Sequence, residues 1–294
     1  MLGTSLLPSG VCYGAYQFFY SRWRKYDCSS RLGAGAVIVW RKKIDGSHYE
    51  VRTAGHSIRL YRNGVFHSQY NWRRMLNGGV WDMLWIPLCF LPAQQIRRVL
   101  MLGVGAGAAL KKIRDFFPEA EITGVELDIN HLRVAKDFVG LRGPSIKLIK
   151  ADALDWMQAS EVPRYDVIID DLFNEVDGEP HRVINFSNGW LHLLRRRLVV
   201  NGLLIANCVK MADAKRLTQR YRSDPVVAGG SSGKHGFNHG YVLKQQGFDN
   251  VVVAACQQPL SGRELKRRFR LLPLSPAVRL PAKFPELLKL RKIA

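Results

Sequence analysis

The sequence predicts an α/β protein in which a small antiparallel β-sheet precedes a larger, doubly wound and mostly parallel sheet. Two observations support this class. Short β-type stretches separated by Asp-Gly and Asn-Gly pairs fill residues 36–68, and apolar strands alternate with helical segments from residue 99 onward. The chain has 294 residues, 47% of them hydrophobic, so it can bury a large core.

Four stretches of β-type sequence form the predicted small sheet, at 36–41, 48–53, 57–62 and 65–68. Asp45-Gly46 lies between the first and second stretches, and Asn63-Gly64 lies between the third and fourth. Such pairs favour two-residue hairpin turns because both positions tolerate positive φ. We therefore predict a small β-sheet domain over 35–70, after an N-terminal extension, 1–34, that has no firm structural pattern. Residues 71–91 change to a helical pattern that is interrupted at Gly78-Gly79.

The following segment has the rhythm of a parallel sheet with helices on both faces. Strands are predicted at 99–102, 121–125, 146–149, 166–169, 203–208 and 248–256. Helices are predicted at 108–117, 129–138, 187–197 and 212–222, with long loops at 172–185 and 229–240. The pattern indicates a Rossmann-like domain over 71–258, followed by a basic C-terminal tail at 259–294.

Positive charge is the unusual feature of the composition. Lys and Arg number 44 against 24 Asp and Glu, a formal net charge of +20. Residues 260–294 alone carry ten basic and two acidic residues, which leaves +8. Such a field favours polyanionic partners, although solvated helix faces and a loose tail explain the same runs.

Cysteines and hydropathy limit the other classes. The five cysteines show no C-x-x-C spacing, so we expect neither a disulfide framework nor a metal site, and a reducing cytoplasmic setting fits best. We expect no transmembrane segment, because long uninterrupted apolar runs are lacking.

A glycine-rich turn joins the first parallel strand to its helix. Gly103, Gly105 and Gly107 allow a tight turn, a close backbone approach to a ligand, and tight helix–strand packing, respectively. Acidic residues then follow the next two strands. Glu126 is placed to accept hydrogen bonds from ribose hydroxyls, and Asp128 follows it.

The third strand leads to Asp152 and Ala153, where a carboxylate or a backbone amide can reach an adenine edge. Ligands of open α/β sheets bind at the carboxyl ends of the strands, so this ordered set predicts a nucleoside site.

The fourth strand ends in a carboxylate pair, Asp170-Asp171, before the predicted loop 172–185. A loop in this position can close over a substrate. Asp171 is the candidate base for a nucleophile, and Asp170 and Asn174 are candidate substrate contacts. The alternative is that both aspartates only terminate the strand.

Five segments of the sequence resemble the catalytic domain of spermidine synthases: "VLMLGVGAGAAL", "ITGVELD", "KADALDWM", "YDVIIDDLF" and "WLHLLRRRLVVNGLLIANCV". "IRLYRNGVFHSQY" resembles that family's small N-terminal sheet. The resemblance covers about residues 35–256 and implies a class I methyltransferase fold with seven strands, the last reversed. It also implies S-adenosylmethionine or its decarboxylated form as cofactor, an amine substrate and a homodimer.

The chain departs from that family at several positions. The glycine loop has Ala106 where the family has the Asp that holds the donor's amine, Asn174 replaces a second strand-four Asp, and His67 takes the place of a Gln. The family's polyamine-binding Tyr-x-Glu motif is not recognisable near Tyr70, which stays a candidate substrate contact. The nucleoside half of the site is kept, while most of the polyamine half is lost.

Three functions are compatible with these residues. The first is a transferase that moves an alkyl group from an S-adenosyl sulfonium donor to a nucleophile such as an amine, with methyl slightly favoured over aminopropyl because of Ala106. The second is a non-catalytic module that binds nucleic acid or another polyanion through its basic surface. The third is a dinucleotide oxidoreductase, which the Asp170-Asp171 pair and the early sheet argue against.

Overall fold

A computed structural model describes residues 37–159, 161–176, 179–223, 239–245, 247–273 and 288–293. The predicted N-terminal extension and most of the predicted loop at 229–240 lie outside these ranges. Within the described part of the chain, no helix is long and apolar enough to cross a membrane.

The small sheet is a four-stranded antiparallel meander, as predicted. Its strands are β1 (Val37–Ile44), β2 (Ser47–Ala54), β3 (Ser57–Arg62) and β4 (Val65–Asn71), and they pair in sequence order. Asp45 and Asn63 have φ of 47° and 50°, and the glycines that follow them also have positive φ, the conformation of a type I′ turn. The turn chemistry of the sequence therefore fixes the register of two hairpins.

A short helical link joins the two sheets. The helix α1 (Val80–Trp85) runs into a 3₁₀ helix (Ile86–Phe90), and Pro87 stands near the start of that second piece. Gly79 is the residue before α1, so the interruption predicted at Gly78-Gly79 marks the helix start. The side chains of Met83, Leu84 and Trp85 are buried.

The large sheet has eight strands. They are β5 (Arg98–Leu102), β6 (Glu121–Glu126), β7 (Ile146–Lys150), β8 (Tyr165–Asp170), β11 (Leu198–Cys208), β12 (His239–Gln245), β13 (Val251–Cys256) and β14 (Leu288–Ile293). Their order is β14-β12-β13-β11-β8-β5-β6-β7, and β13 runs antiparallel to both neighbours. Seven strands with one reversed were expected, and β14 adds an eighth at the edge.

Helices cover both faces of this sheet. They are α2 (Ala108–Phe116), α3 (Ile129–Asp137), α4 (Ala153–Gln158), α5 (Asn188–Arg197), α6 (Met211–Ser223) and α7 (Gly262–Arg270). Successive strand residues point to opposite faces, so Val99 and Met101 join one core layer, while Leu100 and Leu102 join the other. A third apolar cluster, which includes Leu60 and Val134, joins the small sheet to the large domain.

Two parts of the chain differ from expectation. The segment predicted as a loop at 172–185 contains an antiparallel hairpin, β9 (Phe173–Val176) and β10 (Glu179–Arg182). The segment predicted as a basic tail contributes α7 and β14 to the domain. Leu265 and Phe269 of α7 are buried, and β14 pairs antiparallel with β12.

Candidate functional site

The glycine loop between β5 and α2 lies against the end of β8. Gly103 has φ of 82°, and a Cβ there would stand 2.2 Å from the carbonyl oxygen of Asp171. Gly107 also has positive φ and precedes the first residue of α2. These positions require glycine because a side chain would strain the backbone or collide with β8.

Glu126, at the end of β6, binds the loop through its carboxylate. One carboxylate oxygen accepts hydrogen bonds from the backbone amides of Val104 and Gly105, both at 2.9 Å, and the other accepts from the amide of Asp128. Burial raises the pKa of this carboxyl, but a hydrogen bond from His131, the charge of His131 and the backbone amides together lower it below its usual value. Glu126 is therefore held ionised beside the loop.

Asp128 is the N-cap residue of α3. One of its oxygens accepts from the amide of Asn130 at 2.8 Å, and the other accepts from the hydroxyl of Tyr49 at 2.6 Å. Tyr49 belongs to β2, so this bond joins the small sheet to the start of α3, beside Glu126. His131 lies 3.6 Å from a carboxylate oxygen of Asp128 and 3.6 Å from one of Glu126.

His67 of β4 lies beside the glycine loop, with its ring centroid 5.4 Å from that of His131. The register passes from the pair Leu60–Ser68 to the pair Tyr61–Phe66, so His67 is the extra residue of a β-bulge. Its carbonyl oxygen is 3.7 Å from the position that a Cβ on Gly105 would take. Burial, together with His131 and Arg62, lowers the pKa of His67 to about 4, so the imidazole is neutral at pH 7.

Asp171 follows the last residue of β8 and faces the glycine loop. Its backbone amide donates to the carbonyl of Leu102 at 2.9 Å, and its carboxylate accepts from the side-chain amide of Asn207 at 2.7 Å. Burial raises the pKa of this carboxyl to about 6, and the charges of Asp170 and Glu126 act in the same direction. A carboxyl with a pKa raised in this way can accept a proton near neutral pH.

The structure places Asp170 in the core, on the opposite face of β8 from Asp171. Its side chain is fully buried and accepts from the guanidinium of Arg182 and, at 2.8 Å, from the indole of Trp190. This ion pair holds the β9–β10 hairpin against the sheet. The prediction that Asp170 contacts substrate is corrected, because strand alternation points its side chain away from the loop.

Of the remaining predicted residues, Asp152 and Ala153 lie at the end of β7, and Asn174 lies on β9. Asp152 caps α4 by accepting from the amides of Leu154 and Asp155, and Ala153 is the first residue of that helix. Both therefore lie at the carboxyl end of β7, as expected of residues near an adenine. Asn174 is exposed on β9.

Tyr70 contacts helix α2. Its buried hydroxyl donates to the carboxylate of Asp115 at 3.0 Å. Asp115 is eight residues after Gly107, about 12 Å along α2 at 1.5 Å per residue. The structure therefore shows a contact between the small sheet and α2 at Tyr70, and the substrate contact there stays a prediction.

Sequence reasoning missed His131 and Asn207, and it noted His67 only as a departure from a pattern. Asn207 lies near the carboxyl end of β11, so the rule that located the acidic residues could also have located it. His131 falls three residues after Asp128, which places both on one face of the first turn of α3. The bulge at His67 leaves no local signal in the sequence.

Comparison with known proteins agrees with this geometry. The family model "Spermine/spermidine synthase domain" matches residues 82–223. The "Probable polyamine aminopropyl transferase" of Bifidobacterium longum (strain NCC 2705) is 24% identical over 136 residues, which cover 46% of this chain. The match spans only 29% of that relative's length.

Solved structures share the fold. A probable spermidine synthase from Corynebacterium glutamicum ATCC 13032 has a TM-score of 0.61 at 21% identity, covering 79% of this chain and 87% of that one. Human methyltransferase-like protein 13, solved in complex with SAH, has a TM-score of 0.52 at 21% identity, covering 66% and 93%. Residues 82–223 are therefore similar to the spermine/spermidine synthase domain, and the chain shares its fold with a probable spermidine synthase and a methyltransferase-like protein.

Proposed function

We propose that this protein transfers an alkyl group from an S-adenosyl sulfonium donor to a nucleophile, with an amine as the expected acceptor. The observation that carries the proposal is Asp171, whose backbone carbonyl abuts Gly103 and whose carboxyl has a pKa raised to about 6, in part by the charge of Glu126. The family match and the SAH-bound neighbour support a donor of this class.

The donor's nucleoside fits the cradle formed by the glycine loop, Glu126, Asp152 and Ala153. Glu126 is ionised and can accept hydrogen bonds from ribose hydroxyls. Asp152 and Ala153 stand at the end of the neighbouring strand, where the adenine is expected. His67 lies beside the loop and is neutral at pH 7, so it adds no positive charge that would repel a sulfonium.

The donor supplies an electrophilic carbon bonded to positively charged sulfur. Asp171 orients the amine so that its nitrogen lies in line with that carbon–sulfur bond. As the carbon–nitrogen bond forms, the carbon–sulfur bond breaks and its electron pair stays on sulfur, which leaves a neutral thioether. Asp171 accepts the proton that the nitrogen releases, and Asn207 holds the carboxylate in place.

Methyl transfer is favoured over aminopropyl transfer. Ala106 is 2% exposed and packs in the apolar cluster between the small sheet and α2, so the loop has an apolar residue where an anchor for the donor's amine is expected. Arg62 is near enough to lower the pKa of both His67 and Asp128. A nearby guanidinium favours a donor that keeps its carboxylate.

The deciding experiment is calorimetric titration with S-adenosylmethionine, its decarboxylated form and methylthioadenosine. We expect Glu126→Gln to weaken donor binding about 10-fold to 100-fold, because hydrogen bonds to a charged group contribute about 1.5–3 kcal/mol. Glu121→Gln is the matched control, since Glu121 is exposed at the other end of β6. It should bind the donor as the unmodified protein does.

The outcomes separate the two reactions. Tighter binding of the intact donor supports methyl transfer, whereas tighter binding of the decarboxylated donor supports aminopropyl transfer and requires another carboxylate to replace the one missing at Ala106. If none of the three compounds binds, the proposed transferase activity is wrong.

A further inference from the structure

A cationic cleft lies on the small sheet, away from the glycine loop. It encloses about 350 Å³ between the β2–β3 turn and the segment that follows β4. Its polar lining consists of His56, Ser57, Arg59, Asn71, Arg73 and Arg74. Asn71 comes four residues after His67, about 13 Å along the strand, so the cleft and the proposed donor site are separate.

The three arginines give this cleft a local positive charge. Among the described residues, none of the three forms an ion pair with a carboxylate. Arg59 donates instead to the side-chain oxygen of Gln69 at 2.7 Å, and the guanidinium of Arg73 lies 4.9 Å from the centre of the Trp72 ring. Their charge is therefore available to an anion.

Buried hydrogen bonds fix the segment that carries Arg73 and Arg74. The side-chain oxygen of Asn71 accepts from the backbone amides of both arginines, at 2.9 and 3.0 Å, while its side-chain nitrogen donates to the hydroxyl of Ser57 at 2.8 Å. From below, the ammonium of Lys112 donates to the carbonyls of Asn71 and Arg74. Lys112 is 2% exposed, so these bonds are shielded from water.

We propose that this cleft binds a small phosphorylated molecule through its phosphate group. Guanidinium groups suit phosphate because they donate paired hydrogen bonds in a fixed plane. A backbone that is already ordered lowers the entropic cost of binding. The volume of about 350 Å³ is within the range of sites for small molecules.

The test is calorimetric titration with inorganic phosphate and pyrophosphate, which carry no nucleoside and so do not report on the donor site. We expect the double variant Arg73→Gln/Arg74→Gln to weaken pyrophosphate binding at least about tenfold, because two charged donors are lost. Both side chains are exposed, so the variant should keep the melting temperature of the unmodified protein.

The matched control is Lys42→Gln/Lys43→Gln. It removes the same two charges from the exposed far end of the same sheet, near the β1–β2 turn. It should leave pyrophosphate affinity unchanged. Equal weakening by both double variants would show general electrostatic attraction and overturn the proposal. The proposal would also be overturned if neither phosphate nor pyrophosphate bound the unmodified protein. It would be overturned likewise if an oligonucleotide bound and the two small anions did not.

Discussion

Two adjacent aspartates in the candidate site have opposite surroundings. Asp170 is fully buried beside Arg182 and Trp190, whereas Asp171 faces the glycine loop and bonds to Asn207. The sequence predicted that strand β8 ends in a carboxylate pair. It did not predict which carboxylate enters the core, because that depends on a cationic partner contributed by β10, twelve residues away.

Asp171→Asn should abolish most of the proposed transferase activity without destabilising the fold. Loss of a positioned base lowers the rate by about 100-fold to 10,000-fold. In the unmodified protein, kcat/KM should rise with pH through about 6, because only the ionised carboxyl accepts a proton. The folded-state pKa is above that of a free carboxyl, so ionisation at neutral pH opposes folding, and the variant should melt at an equal or higher temperature.

Asp170→Asn provides the contrasting result at the neighbouring position. It leaves the buried Arg182 guanidinium without its counter-charge, which typically costs about 3–5 kcal/mol of folding free energy. Asp171→Asn should therefore lower turnover and keep the melting temperature, whereas Asp170→Asn should lower the melting temperature. A turnover assay and thermal melting measure the two effects. An unchanged melting temperature for Asp170→Asn, or a large fall for Asp171→Asn, would contradict these roles.

At the scale of elements, local sequence chemistry decided how much could be predicted. The hairpin turns and the strands of the nucleoside half follow from Gly, Asn and apolar patterns, and the structure confirms them. The hairpin β9–β10 was missed because its strands have four residues each and lack apolar alternation. Helix α7 was predicted to be part of a basic tail because most of its residues are basic and only two, Leu265 and Phe269, are buried apolar residues.

Phe269→Ala should show that α7 is part of the folded domain. Phe269 is 2% exposed, and its ring stacks on Trp85 with centroids 5.8 Å apart. Truncation of a buried Phe leaves a cavity and typically costs about 3–5 kcal/mol. Leu271→Ala is the control, because Leu271 is 69% exposed and just beyond the helix. Chemical denaturation should show a large loss for the first variant and almost none for the second.

At the scale of the whole molecule, strand order determines where the candidate site lies. The carboxyl ends of β5, β6, β7 and β8 bring the glycine loop, Glu126, Asp152 and Asp171 to one edge, and this could be predicted from their order along the chain. The contribution of the small sheet could not be predicted in this way. Tyr49 and His67 reach the site through strand pairing and through contacts with residues that are distant in the sequence. The cleft beside Arg73 and Arg74 depends on the same packing.

The net charge of +20 should make the stability of the protein depend on salt. Mutual repulsion of the basic residues opposes the compact state. Raising the ionic strength from about 0.02 to 0.2 M shortens the screening length to below about 10 Å and weakens this repulsion. The melting temperature should therefore rise with the concentration of sodium chloride. Sulfate at matched ionic strength should raise it further, because an anion that binds only the folded state adds stability by mass action. That extra rise should be smaller in Arg73→Gln/Arg74→Gln than in the unmodified protein and unchanged in Lys42→Gln/Lys43→Gln, because the general stabilisation of folded proteins by sulfate is common to all three. If sulfate and chloride stabilise the unmodified protein equally, the cleft does not select tetrahedral oxyanions, and screening alone accounts for the effect.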